Sequence, residues 1–223
     1  MVKIVIDGNI GSGKSTIIRK LQDIYPRVFQ EEVVDWKEWL PLYYQNPEKY
    51  ALGFQLKVLL SHIKKSDQNS QDICIFERSP FTCVYIFGKV LLQDGLLQKI
   101  EQQMCEDYYH YSGWVPDLLI YLDSSPTVCL ERIRARHRNG ESAISLEYLD
   151  KLNASYSTVL SKQATLPFIV IRIDANQNIE KVYSEVVQEI RKWILDFKAM
   201  VYTEKMNNYK KDKTIKRLKT VSV

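Results

Sequence analysis

Short apolar runs alternate with amphipathic stretches along the whole chain. Five runs read as strands: Val2–Ile6, Val28–Glu31, Ile73–Phe76, Asp117–Asp123 and Phe168–Ile173. Ile73–Phe76 is apolar throughout, as strands covered on both faces are. The stretches between them carry helical spacing. Ser15 to Tyr25 stops at Pro26, and Trp36 to Tyr44 is aromatic-rich. Pro47 opens a helix that runs to Lys65, and Pro80–Leu92 and Leu96–Tyr111 are separated by Asp94-Gly95. Pro126 opens another, which turns basic at Arg132, Arg134, Arg136 and Arg138 and breaks at Asn139-Gly140. Leu146–Leu160 follows, and Ile179–Met200 is a long last helix. No repeat is visible. Strand and helix in alternation predict an α/β domain over residues 1–200, a five-stranded parallel sheet between helices, with ligands at the carboxyl ends of the strands.

What stands at those ends therefore decides the chemistry. After the first strand comes Gly8-Asn9-Ile10-Gly11-Ser12-Gly13-Lys14-Ser15, which fits G-x-x-x-x-G-K-[ST]. The strand before it and the helix after it are the context this phosphate-binding loop requires. Its glycines let successive backbone N–H groups aim at a phosphate, and the helix N-terminus adds partial positive charge. Lys14 would reach the β- and γ-phosphates of a nucleotide such as ATP, and the Ser15 hydroxyl would hold Mg²⁺. Thr16 extends the cradle. The other strand ends carry Glu31, Glu77-Arg78 and Asp174-Ala175-Asn176. Glu31, facing the loop, suits a general base on an acceptor hydroxyl, or is simply an exposed strand-end acid. Arg132 and Arg136, one turn apart, suit either a solvated helix face or a lid closing over phosphates.

Composition narrows the setting. The chain has 223 residues, 45% of them hydrophobic, and no apolar run approaches the length of about eighteen residues that a membrane span needs. With the first strand entered at Val2, a cytoplasmic protein is expected. Cys74, Cys83, Cys105 and Cys129 are scattered, so buried thiols are expected rather than zinc or disulfides. Residues 198–223 carry eight Lys/Arg against Glu204 and Asp212, a charge of +6, whereas the remainder has 23 basic and 25 acidic residues, or −2. The excess positive charge is thus the tail's. Residues 201–223 read as a basic, weakly packed or mobile extension, with nucleic-acid or membrane-surface contact as the alternative.

Six ordered motifs, from about Val2 to Lys198, resemble the deoxyribonucleoside kinases of the deoxycytidine, deoxyguanosine, mitochondrial thymidine and insect multisubstrate type. The loop looks like that family's E-G-N-I-G-S-G-K. Glu31-Glu32-Val33-Val34-Asp35-Trp36 resembles E-P-V-x-x-W, with Glu32 in place of the proline. Tyr44 to Gln55 resembles the substrate helix, and Phe76-Glu77-Arg78-Ser79 the F-E-R-S segment. Arg132 through Leu149 looks like the lid, and Asp174 through Ile179 like the segment framing the ATP adenine. The resemblance implies a P-loop kinase fold with an arginine-rich lid and a homodimer formed near Phe81–Leu92 and Leu97–Tyr111. It implies Glu31 as catalytic base and Glu77 beside Ser15 on Mg²⁺. Arg78, Arg132 and Arg136, with Lys14, would act on the phosphates. Trp36, Tyr44, Phe54, Gln55, Phe87 and Glu141 would seat a deoxynucleoside, and Asn176, Gln177 and Asn178 would lie against ATP.

The expected activity is transfer of the ATP γ-phosphate to the 5′-hydroxyl of a deoxyribonucleoside, a salvage step towards DNA precursors. A monophosphate kinase of the thymidylate type and a non-catalytic nucleotide-binding subunit are the rival readings. Where deoxycytidine and deoxyguanosine kinases carry an arginine and an aspartate beside the base, this chain has His62 and Cys83. That difference leans towards a pyrimidine-preferring or broad enzyme. Gln55 offers a donor and an acceptor, so rotation of its amide would suit several bases.

Overall fold

A computed structural model describes residues 1–29, 36, 38–64, 73–137 and 141–220, with side chains left undescribed at 142, 201 and 204–220. The five strands are β1 (Val2–Gly8), β2 (Val28–Phe29), β3 (Ile73–Glu77), β4 (Leu118–Asp123) and β5 (Ile169–Asp174). They form one parallel sheet in the order β2-β3-β1-β4-β5. The apolar runs are buried as parallel strands must be: Ile4, Val5 and Ile6 are wholly inaccessible, and so are Leu118, Ile120 and Leu122. Register matters at the top of the sheet. Ile6 pairs with Glu77 and Gly8 with Leu122, so the loop leaving β1 emerges between the ends of β3 and β4.

The helices are α1 (Lys14–Leu21), α2 (Trp39–Gln45), α3 (Pro47–Lys64), α4 (Pro80–Thr82), α5 (Lys89–Gln93), α6 (Lys99–Ser112), α7 (Pro126–Ala135), α8 (Leu146–Leu160) and α9 (Ile179–Thr220). Their starts are set locally. Pro80 and Pro126 sit in the first turns of α4 and α7, behind the N-capping hydroxyls of Ser79 and Ser125. α6 begins three residues later than its periodicity predicts, because Gln98 and Glu101 form a capping box. Between α4 and α5 the chain is a π-helix, Cys83–Gly88, which apolar periodicity does not distinguish from an ordinary α-helix. The second strand is short, and Gln30 and Glu31 lie outside the described residues.

By its internal contacts the chain divides into Met1–Tyr183 and Ser184–Val223. The first unit contains the whole sheet. The second is helical as far as Thr220, with Trp193 and Phe197 stacked one turn apart at 5.0 Å. The last helix thus runs twenty residues past Met200, its expected end. Residues 201–220 contain neither proline nor glycine, so nothing local stops it. All four cysteines are buried as thiols. Among the described residues no helix is long and apolar enough to cross a membrane.

Candidate active site

The phosphate loop is built where β1 turns into α1. Gly8, Gly11 and Gly13 have φ of 149°, 85° and 99°, a region that side chains disfavour. At Gly8 and Gly11 space forbids one too: a Cβ on Gly11 would lie 2.5 Å from the Cys129 carbonyl of α7. Lys14 is buried within the cradle, and its Nζ donates to the Asn9 carbonyl at 2.7 Å. Asn9 spans outward, with Nδ2 donating to the Leu149 carbonyl of α8 at 2.8 Å. Burial pushes the Cys129 thiol up, while a Ser124 hydrogen bond and the charges of Lys14, Arg132 and Arg136 pull it down. Three of the expected phosphate cations thus act on one spot under the loop.

A hydroxyl and a carboxylate meet at the expected cation position. Ser15 Oγ donates to Glu77 Oε1 at 2.7 Å. These are hard oxygen donors of the kind Mg²⁺ takes, so the residues fit that ion. Arg78, the next residue, is held at φ 60°. A non-glycine residue in that strained region is a mark of functional sites. Its guanidinium lies 5.0 Å from the Phe87 ring centre, and Nη2 donates weakly to the Gly8 carbonyl at 3.4 Å.

Behind the loop lies a network that motif reading did not single out. Asp7 is inaccessible to solvent, accepts from the Gly8 N–H at 2.7 Å and from Tyr156 Oη at 2.8 Å, and takes a third bond from Thr82 Oγ1. Tyr156 also donates to the Gly8 carbonyl at 3.1 Å. Burial raises the Tyr156 hydroxyl well above its ordinary range, and Asp7 raises it further. One acid at the buried end of β1, next to the apolar run Ile4–Ile6, was the signal available. It fastens β1, α4 and α8 to the root of the loop.

From Lys14 and Ser15 a cavity of about 380 Å³ extends to Gln55 and His62. Its walls include Trp36, Tyr44, Phe54, Glu77, Arg78, Cys83, Phe87, Arg136 and Glu141, all expected from the sequence. Tyr43 stacks on Phe54 at 5.0 Å, and Trp36 meets Phe54 edge-on at 5.6 Å. Those contacts make a flat aromatic slot. Tyr43 and Tyr148 also line it and were missed, although Tyr148 stands in the segment that follows the lid. Burial, then Tyr43 and Glu141, push the Tyr44 hydroxyl up to about 12 against the opposing Arg136, so it remains a neutral donor. The Gln55 amide does not rotate freely: its Nε2 donates to the Cys83 carbonyl, and Cys83 Sγ points back to the Gln55 carbonyl at 3.7 Å. Arg136 grips Glu141 with two bonds, of 2.6 and 2.5 Å.

Other expected residues stand outside the cavity. Arg132 and Thr16 do not line it. Asn176 accepts from the Ser125 N–H at 2.9 Å, Gln177 donates to the Asp174 carbonyl at 3.1 Å, and Asn178 caps Glu180 N–H at 2.8 Å. These three shape the turn into α9, whose Ile179 reaches within 3.5 Å of the space above Gly13. Glu31 and Arg138 lie outside the described residues.

A parallel sheet feeding a phosphate loop, with an aromatic-lined cavity of small-molecule size beside it, is the build of a P-loop kinase. Comparison with known proteins narrows the class: the deoxynucleoside kinase family model matches residues 4–195, and the chain belongs to that family. Protein 029R of Invertebrate iridescent virus 3, named as a kinase, is 36% identical over 83% of this chain and 94% of its own. The deoxyadenosine kinase of Dictyostelium discoideum is 32% identical over 92% of this chain and 82% of its own. A solved deoxyadenosine kinase from M. mycoides, with dCMP and dCDP bound, shares the fold at a TM-score of 0.76 and 24% identity, covering 86% and 99% of the two chains. The protein is accordingly a kinase of the deoxynucleoside kinase family.

Proposed function

We propose that the protein moves the γ-phosphoryl group of ATP to the 5′-hydroxyl of a deoxyribonucleoside, in the cytoplasm, with pyrimidine-preferring or broad base selection. One observation carries this reading: a single cavity joins the phosphate loop at Lys14 and Ser15 to the amide of Gln55 through an aromatic slot. A flat base suits the slot, and its sugar would then point towards Glu77, Arg78 and the loop. Glu31 takes the proton from the attacking hydroxyl. Lys14, Arg78, Arg132 and Arg136 neutralise the transferring group, which in phosphoryl transfer is most of the catalytic work. Ser15 and Glu77 would hold Mg²⁺, which supplies further positive charge at the phosphates. Asn176, Gln177 and Asn178 frame the nucleotide base beside Ile179. Tyr44 and Glu141 take the sugar 3′-hydroxyl, which requires Glu141 to exchange part of its grip on Arg136 for substrate.

The working unit is a homodimer. Ile100, Met104, Tyr108 and Tyr111 stand exposed along α6, at helical spacing, and an apolar stripe of this kind suits a partner surface. Light scattering checks this, since Met104→Asp should then convert dimer to monomer. The tail from 201 is dispensable for phosphoryl transfer, and a truncated chain should keep activity within a few-fold. The function itself is tested with Mg-ATP and a panel of deoxynucleosides and their monophosphates. Consumption of nucleosides supports the reading. Consumption of monophosphates alone, or of neither, contradicts it.

A further inference from the structure

The helical stretch that carries Cys83 and Phe87 is interrupted in the middle by the π-helix Cys83–Gly88. Such widened turns are rare and concentrate at functional positions. Three carbonyls of this one are held by side chains from three other helices. Gln55 Nε2 on α3 donates to Cys83 at 2.5 Å, Gln102 Nε2 on α6 to Val84 at 3.2 Å, and Ser155 Oγ on α8 to Ile86 at 3.3 Å. The three donors are 3%, 4% and 9% exposed, so water does not compete for these bonds. Gln102 is itself fixed by a second bond from Nε2 to Glu106 Oε1 at 2.9 Å. Gly88 completes the lattice. A Cβ there would stand 2.6 Å from Gln102 Oε1 and 3.1 Å from Gln55 Nε2, so glycine is what lets both amides lie against the helix backbone.

The consequence falls on Gln55. Turning its amide over would set Oε1 against the Cys83 carbonyl, two acceptors face to face in a dry site. Gln55 therefore offers the cavity its N–H and its carbonyl in one fixed order. Cytosine and adenine present an exocyclic donor where thymine and guanine present an acceptor, so a fixed amide separates the two kinds of edge. We infer that Gln102, which does not line the cavity, is a positioning residue for base selection: by holding the Val84 carbonyl it keeps the adjoining Cys83 carbonyl in place, and so fixes the sense of the Gln55 amide. The inference rests on the proposed role of Gln55 as the residue that reads the base.

The test compares wild type with Gln102→Met, which keeps the length of the side chain and removes both donors. kcat/KM is measured for thymidine against deoxycytidine and for deoxyguanosine against deoxyadenosine, together with KM for ATP and nucleoside affinity by calorimetry. Whichever edge the wild type prefers, the preference should narrow by about fivefold or more in the variant, with KM for ATP within about twofold. Gly88→Ala alone should weaken nucleoside binding by about tenfold, and Gly88→Ala combined with Gln102→Ala should recover part of that loss, because the colliding amide is gone. An unchanged preference in Gln102→Met, a wild-type preference near one, or parallel loss of nucleoside and ATP binding overturns the inference. A wild type that neither binds nor phosphorylates any nucleoside overturns instead the reading of Gln55, and the inference falls with it.

Discussion

The two ends of the cavity are made in opposite ways. At the phosphate end the working groups come from one short stretch, Gly8–Ser15, and most of them are backbone N–H groups aimed by three glycines in left-handed conformations. Neighbouring strands add Glu77 and Arg78 with no search for register, because β1 and β3 pair in parallel, Ile6 beside Glu77. At the base end the groups are side chains from separate helices. Gln55 comes from α3 and Cys83 from a π-helix, and Tyr148 comes from α8. The phosphate end is thus fixed by local chain geometry, whereas the base end depends on how helices far apart in sequence pack. Chemistry common to all phosphoryl acceptors belongs at the first, and substrate choice at the second.

That division can be broken by substitution. The largest expected loss is in Glu31→Gln, which should lower kcat by roughly 10²–10⁴-fold while ATP still binds. Near-normal turnover in steady-state assays would remove Glu31 from the mechanism. Lys14→Met comes next, at about 10²–10³-fold in kcat for every nucleoside alike, since it withdraws charge from the phosphate and not from the base. A loss confined to one nucleoside would blur the two ends.

At the other end, His62→Arg with Cys83→Asp should depress thymidine use more than deoxycytidine use. The shift expected in their kcat/KM ratio is about tenfold, at constant KM for ATP. An Arg–Asp pair would crowd the space that compact, uncharged Cys83 leaves beside Gln55. The smallest effect belongs to the network behind the loop. Tyr156→Phe removes the one O–H that Asp7 and the Gly8 carbonyl share. It should lower stability by about 1–3 kcal/mol in denaturant titration and raise KM for ATP a few-fold, leaving base preference alone. A changed base preference would mean that the two ends are coupled through α8.

The same contrast explains what the amino-acid sequence reveals. The loop, the place of Glu77 at a strand end and the alternation that builds the sheet follow from contiguous motifs and parallel pairing, so they are legible in the order of residues alone, whereas the pairing of Glu77 with Ser15 came by resemblance. Gln55, Cys83 and Phe87 are legible only by resemblance, because nothing in their spacing says that α3 and the π-helix face each other. Gln102 and Gly88 carry no motif at all. Their significance is one distance, 2.6 Å from an imagined Cβ to an amide oxygen. Asp7 lay in view as an acid within a buried strand, yet its partners Thr82 and Tyr156 are 75 and 149 residues away. The extension of α9 to Thr220 shows the reverse case, where a fall in apolar content suggested an end and the chain had no residue to make one.

The central claim is that one cavity presents a deoxynucleoside 5′-hydroxyl to a phosphoryl group held by the loop. Its most direct test is the position of the transferred phosphate. ATP labelled in the γ-phosphoryl group is incubated with Mg²⁺, the protein and a deoxynucleoside, and the product is mapped by phosphorus NMR. The account predicts a label carried wholly on the 5′-oxygen, with ADP formed in equal amount. Label on the 3′-oxygen, label accepted only by an existing 5′-phosphate, or ATP consumed without transfer would contradict it.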